Sequence, residues 1–298
     1  MTTPDFARNR DNFCYLHPGR QSFVLCQRCA RTICGECQTP AAVGVICPEC
    51  LAEQRRAHTP AQKRARRRWG RGGSAVAAST GGDTRGMMWI FILTAVAFLV
   101  DWAGRTVGFA LSQWLDFAAP LVYPQSGYFQ PWRVVTVALT HASFMHVFLN
   151  MLSLWMIGRV LEPMLGTARF VTTYVLCAAG GSAAVALLSF DTPVVGASGA
   201  VFGLFGALIV IARHIGANMT GMLIVLGINL VLGFIPGAGI SWQSHVGGLL
   251  VGALIGLVFT RTRRADQQVR QRVLLGVIAA GIVAVFFVPP LLGFPVLT

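Results

Sequence analysis

From Met87 onward the chain is a succession of long apolar runs separated by short polar or glycine-containing turns. The runs have lengths near the roughly 20 residues that a helix needs to cross a bilayer. The pattern predicts seven helical spans, near residues 87–104, 141–163, 167–190, 198–214, 218–236, 242–260 and 273–289. One connection departs from it. Residues 105–140 carry Phe109, Trp114, Phe117, Tyr123, Tyr128, Phe129 and Trp132, interrupted by Pro120, Pro124 and Pro131. The segment is too irregular to span and too apolar for water, so it is expected to lie in the interface or dip partway into the outer leaflet. No comparable apolar run precedes Met87, and the opening MTTPDFARNRDNFC has no apolar core of a signal peptide.

Composition divides the chain in the same way. Of 298 residues 54% are hydrophobic and only 12% charged, about half the charged share of a soluble domain. That excludes a secreted soluble protein and a simple nucleic-acid-binding domain. Residues 1–85 hold 14 Lys+Arg against 6 Asp+Glu, and seven of the eight cysteines lie within the first 50. Four parts are expected: a cysteine-rich head at 1–52, a basic flexible linker at 53–86, a helical core at 87–260, and a basic turn with a last helix at 261–298. Arg outnumbers Lys 23 to 1, with Lys63 alone, which is read as a bacterial genome of high GC content.

Charge also orients the helices. The linker run Lys63 to Arg68 is read as arginines held by anionic lipid on the cytoplasmic side rather than as a nucleic-acid contact. With the head inside, cytoplasmic turns carry Arg159, Arg169, Arg213, Arg261, Arg263, Arg264, Arg270 and Arg272. The opposite connections carry only Arg105 and Arg133. The N-terminus is therefore expected in the cytoplasm, and after seven spans the C-terminus outside, in a multi-pass protein of the cell membrane.

The head holds four chelating pairs, Cys14-x2-His17, Cys26-x2-Cys29, Cys34-x2-Cys37 and Cys47-x2-Cys50. A two-residue gap turns both side chains toward one ion, and eight ligands suffice for two tetrahedral Zn²⁺ ions. A disulfide framework would need an even number of cysteines and an oxidising compartment. Phe23, Val24, Ile33, Val45 and Ile46 are too few to fold the segment alone, so metal is expected to supply the folding energy. Closed four-ligand sites have no open position for catalysis. The zinc is thus expected to be structural, in a module suited to a cytoplasmic protein partner. Its arrangement resembles a B-box-type zinc finger, which implies a cross-brace: Cys14, His17, Cys34 and Cys37 on one ion, Cys26, Cys29, Cys47 and Cys50 on the other. Sequential pairing has workable spacings too.

Polar side chains inside apolar spans are costly, which makes each a candidate for function. His141, His146 and Asn150 open the second span, Ser198 opens the fourth within Gly196-Ala-Ser198-Gly199, and Ser244-His245 begin the sixth. All fall at similar depth on the outer side. Such a group suits acyl transfer, with Ser198 as nucleophile and His245 as general base. The Ser198 backbone N–H, His146 and Asn150 would stabilise the oxyanion. Asp101, Asp116 and Asp191 are poorly placed to complete a triad, so a Ser–His dyad is expected. Gly199, Gly203 and Gly206 lie along the fourth span, and Gly248 and Gly252 along the sixth, in small-xxx-small patterns that let helices approach closely. Phe202, one turn after Ser198, is placed to pack on the imidazole.

These stretches resemble the rhomboid family of intramembrane serine proteases. The resemblance rests on PWR at 131–133, HASFMHVFLN at 141–150, GRVLEPMLG at 158–166, GASGAVFGLFGA at 196–207 and SHVGGLLVG at 244–252. It implies an all-α polytopic six-helix core plus one C-terminal transmembrane helix, preceded by a small zinc-stabilised domain. It also implies cleavage of transmembrane protein substrates within or near the lipid bilayer, with no catalytic cofactor. The family's nucleophile and base fall on Ser198 and His245, and its oxyanion partners on His146 and Asn150. Gly158, Glu162 and Gly166, with Trp132 and Arg133, would support the partly embedded first loop, and His141 would hold the site together. Position 202 is Phe where some members have Tyr. The competing readings are a catalytically inactive rhomboid-like protein that binds membrane clients, and a zinc-binding module merely anchored by helices.

Overall fold

A computed structural model describes residues 10–40, 44–56, 84–214, 219–235 and 239–294. They fall into two compact units, one within Met1–Gly73 and one within Ser74–Thr298. The basic run of the expected linker lies outside the described residues.

The first unit has little regular structure. Strands Thr39–Pro40 and Val45–Ile46 pair antiparallel, and one helix follows at Pro48–Arg56. Its core is Ile33 together with the buried sulfurs of Cys14, Cys26, Cys34, Cys37, Cys47 and Cys50, with Tyr15, Val45 and Ile46 packed against them. Phe23 and Val24 are exposed, so the apolar core is smaller still than the sequence indicates.

The second unit is a helical bundle. Its long helices are α1 (Arg85–Arg105), α2 (Phe144–Leu165), α3 (Thr167–Leu188), α4 (Ser198–His214), α5 (Thr220–Leu232), α6 (Trp242–Arg261) and α7 (Gln268–Val285). Five of the seven, α7 counted through Leu291, are long and apolar enough to cross a membrane; α4 and α5 are shorter apolar helices. With its 17 residues α4 rises about 25 Å, short of a hydrocarbon core of about 30 Å. It is nevertheless the central helix, with eleven of those residues buried.

Two starting points differ from the sequence expectation. Helix α2 begins at Phe144 rather than 141, because the Ser143 hydroxyl caps it by accepting the His146 N–H. That leaves His141 in the bend before the helix. Helix α7 begins at Gln268 rather than 273. The Gln271 amide is buried and donates to the Thr262 carbonyl and hydroxyl, which binds the first turn of α7 to the end of α6.

The glycines set how α4 and α6 meet. A methyl group on Gly248 would overlap the Gly199 carbonyl, and one on Gly252 the Gly203 carbonyl. Both positions therefore need glycine for backbone to lie against backbone. The pairs advance together along both helices, so α4 and α6 run parallel. Gly181 of α3 faces both Ser244 and Gly199, while Cys177 faces Gly203. Helix α3 thus runs antiparallel to both, across their contact.

The connection between α1 and α2 folds around its own apolar core. Phe117, Ala119, Val122, Tyr123 and Val137 pack with Val185, Ala186 and Phe190 from the end of α3 and the turn after it. Phe117 and Val194 exchange backbone hydrogen bonds of 3.1 and 2.8 Å, tying this loop to the segment that leads into α4.

Candidate active site and metal sites

Helices α2, α4 and α6 each begin at the same end of the bundle, and each carries candidate residues in its opening turns. Ser198 is the first residue of α4, His146 the third of α2 and His245 the fourth of α6. Ser198 and His245 flank the Gly199–Gly248 contact, which holds them at one level. The His245 imidazole lies flat on the Phe202 ring, with centroids 3.9 Å apart and planes 10° apart. His245 is 5% exposed, and its Nδ1 is buried without a hydrogen-bond partner among the described residues. No described carboxylate reaches that nitrogen, and Asp191 is exposed in the turn after α3.

His146 approaches from the other side. Gly196 has φ +117, and a Cβ there would lie 2.8 Å from both Cε1 and Nε2 of His146 and 3.8 Å from the Ser198 Oγ. Only glycine takes this backbone readily and leaves room for the ring. His141 holds the same segment, since its Nε2 accepts the Ala197 N–H at 3.4 Å and its ring lies edge-on to that of His146, 5.0 Å away. Asn150 is buried on the face below His146. One of its amide protons goes back to the His146 carbonyl at 2.9 Å, and the other has no acceptor among the described residues and can serve a ligand. The Ser198 N–H opens α4, where amides have no intrahelical acceptor and the helix dipole favours an anion. The arrangement thus offers a hydroxyl, an imidazole and convergent donors.

The two motifs expected to support the first loop have separate tasks. Arg133 is 3% exposed and does hold that loop, its guanidinium donating to the Gln130 side chain and to the carbonyls of Asp116 and Gln113. The Trp132 indole donates to the Trp114 carbonyl at 3.0 Å. Glu162 does not touch the loop. Fully buried near the other end of α2, it accepts the Gly86 and Met87 N–H groups at 2.8 and 2.7 Å and the Thr167 hydroxyl at 2.7 Å. It satisfies the free amides at the start of α1 and joins α1, α2 and α3. Gly158 makes room for Met87 in the same junction, and Gly166 turns the chain between α2 and α3 with φ +82. The expectation of loop support by Gly158, Glu162 and Gly166 is therefore corrected. Spacing alone does not say which end of a helix meets which neighbour.

In the head, ligand atoms gather into two groups: Cys14, His17, Cys34 and Cys37, and Cys26, Cys29, Cys47 and Cys50. The cysteines form no disulfides. Within the groups Cys14 and Cys37 sulfurs are 3.8 Å apart, as are those of Cys29 and Cys47, and His17 Nδ1 lies 3.3 to 3.8 Å from three sulfurs. A tetrahedron with metal–sulfur bonds of about 2.3 Å has edges of about 3.8 Å, so these donors fit one ion per group. Burial opposes ionisation of Cys14 and Cys26, but nearby amide donors prevail and bring both thiols down to about 6, whereas burial and the neighbouring sulfurs push Cys37 and Cys50 up to about 12. Thiolate is the form a metal requires.

The hydrogen-bonded pairing of Phe117 with Val194 left no mark in the sequence. The two lie in distant loops, and an isolated bridge has no local periodicity to reveal it.

Comparison with known proteins places this geometry. The rhomboid domain family model matches residues 128–262, which include His141, His146, Asn150, Ser198 and His245. Rhomboid protease GluP of Bacillus subtilis (strain 168) is 34% identical over 161 residues, covering 50% of this chain and 31% of that protein. RHOMBOID-like protein 1 of Arabidopsis thaliana is 37% identical over 136 residues, 43% of this chain and 34% of that one. The chain thus spans about a third of the length of these two relatives. Putative rhomboid protease YdcA of Bacillus subtilis (strain 168) is 30% identical over 181 residues, 58% of this chain and 82% of that protein. The bundle of α1 to α7 with its convergent serine and histidines, and these likenesses together, make this chain a multi-pass membrane protein of the rhomboid family.

Proposed function

We propose that the chain is an intramembrane serine endopeptidase that cleaves transmembrane protein substrates with a Ser198–His245 dyad. The observation that carries this reading is the stack of His245 on Phe202, one turn from Ser198, on two helices whose backbones touch. His245 accepts the Ser198 hydroxyl proton while the oxygen attacks the scissile carbonyl, and then delivers it to the leaving amine. Water releases the acyl group from Ser198, its proton again passing through His245. The oxyanion is met by the Ser198 N–H, the His146 ring and the free amide proton of Asn150. The unpartnered His245 Nδ1 favours a dyad over a triad.

The head, residues 1–52, is assigned two structural Zn²⁺ ions in the cross-brace pairing, on the ligand chemistry and spacing described above. Following the arginine asymmetry, it stands in the cytoplasm and offers a surface for a protein partner, while the dyad faces the other side. The test is cleavage of a labelled transmembrane substrate in liposomes by wild type, Ser198→Ala and His245→Ala. Loss in both variants supports the reading, and binding of the substrate without cleavage by wild type would favour the inactive client-binding alternative.

A further inference from the structure

Helix α7 lies beyond the stretch that matches the family model, and most of its surface is exposed, with Val269, Val273, Val277, Val283 and Phe287 facing outward. An anchor would need nothing more. Its outer end nevertheless packs inward on the loop core. Ile282 is buried on Ala179 and Ala183 of α3. The Phe286 ring meets that of Phe117 edge-on at 6.3 Å, and after the turn at Val288–Leu291 Phe294 comes to 5.3 Å from Phe190. Phe117 and Phe190 are among the most buried aromatic residues of the bundle. The two phenylalanines from the C-terminal segment therefore complete a core that the six preceding helices leave open on one side.

That core borders the candidate nucleophile. Phe117 is paired through its backbone with Val194, and Val194 lies two residues before Gly196. The Gly196 N–H donates to the Val137 carbonyl, Val137 belonging to the same apolar core, and Ala197 is held by His141. A second route passes through α3, where Ser182 donates to the Val134 carbonyl of the loop and the adjacent Gly181 faces Ser244 and Gly199. Both routes end at the start of α4.

We propose that the outer end of α7 positions the serine segment, with Phe286 as the principal positioning residue, acting through Phe117 and Val194, and Phe294 as its second, acting through Phe190 in the same core. The inference rests on the reading of Ser198 as nucleophile, although its structural half does not. Removing the Phe286 ring opens a cavity beside Phe117. The Phe117–Val194 bridge loosens, and the Ser198 hydroxyl and N–H lose their alignment. A displacement of about 1 Å at a reacting atom can cost on the order of a hundredfold in rate.

The test uses the full chain in liposomes with Phe286→Ala, Phe294→Ala, the conservative Phe286→Leu and, on the outward face, Val277→Ala. Three quantities are read: kcat and KM on a transmembrane substrate, the rate at which Ser198 displaces fluoride from a fluorophosphonate probe, and amide exchange at Phe117 and Val194. The expected result for Phe286→Ala is a kcat lowered about tenfold or more with KM within about twofold. Probe labelling should slow in step, and the two amides should exchange at least about tenfold faster. Phe286→Leu should recover most of each, and Val277→Ala should match wild type. Unchanged exchange at Phe117 and Val194, or activity per folded molecule equal to wild type, would overturn the proposal. If Phe286→Ala does not fold, Phe294→Ala carries the same comparison. Should wild type neither cleave nor label, the protease reading fails, while the exchange data still decide whether α7 orders the segment.

Discussion

The imidazole of His245 rests face to face on the ring of Phe202, 3.9 Å away and within 10° of parallel. The stack fixes the plane of an imidazole whose Nδ1 has no hydrogen-bond partner among the described residues. Phe202→Ala is therefore expected to lower kcat roughly tenfold, since a ring pair of this kind contributes about 0.5–1.5 kcal/mol beyond area burial. Phe202→Tyr, which keeps the ring, should stay within a few-fold of wild type. Steady-state cleavage of one transmembrane substrate by the three proteins checks this, and equal loss in Phe202→Ala and Phe202→Tyr would contradict it.

Glu162 acts at the opposite end of the bundle, and its loss should appear in stability before activity. Two buried amides, Gly86 and Met87, depend on its carboxylate. Each left unsatisfied costs about 1–3 kcal/mol. Glu162→Ala is expected to lower the melting temperature in detergent by several degrees, with Glu162→Gln intermediate because its amide keeps one acceptor oxygen. A melting temperature equal to wild type in Glu162→Ala would contradict the capping role.

Asp116 gives a pH dependence. Its Oδ1 is buried without a hydrogen-bond partner among the described residues, and burial, assisted by the charge of Asp101, raises the carboxyl to about 6. Thr140, Arg133 and Arg105 act in the other direction. A carboxyl raised above its unfolded value of about 3.9 binds more protons in the folded state, so its contribution to stability falls as pH rises from about 4 through about 6. Asp116→Asn should remove that component. Thermal unfolding of both proteins between pH 4.5 and 7.5 should show wild type losing stability relative to the variant as pH rises through about 6, the difference levelling off above that. Parallel curves would count against the assignment.

The head makes a stoichiometric prediction. Metal analysis of the full chain should find two zinc ions, and Cys47→Ser should retain one, because Cys47 belongs to a single cluster. Chelation should unfold the head, given how few apolar residues it buries. Cleavage by the bundle should largely persist when residues 1–60 are removed. Disulfides in place of metal would contradict the assignment.

The helices and the polar residues that interrupt them could be read in the sequence because both obey local rules. Apolar runs of span length become helices, and the small-residue spacings of α4 and α6 become backbone contact at Gly199–Gly248 and Gly203–Gly252. Placing His245 on Phe202 followed from the one-turn separation of Ser198 and Phe202. What could not be read was pairing between distant elements. Glu162 sits in a motif that says nothing of its partners, and only the fold shows that they are the amides of α1 and the Thr167 hydroxyl. The aromatic core shared by Phe117, Phe190, Phe286 and Phe294 draws on three separate stretches of chain. The early start of α7 has the same origin, in a tertiary bond from Gln271 to Thr262 rather than in apolar periodicity.

The central claim is that Ser198 attacks and His245 takes the proton. It is tested most directly by the rate at which wild type, Ser198→Ala and His245→Ala cleave one labelled transmembrane substrate in the same liposomes, with each protein shown to be folded by its melting curve. The account predicts cleavage by wild type, none above background with Ser198→Ala, and a loss of at least about a thousandfold with His245→Ala. Cleavage that survives Ser198→Ala would contradict it.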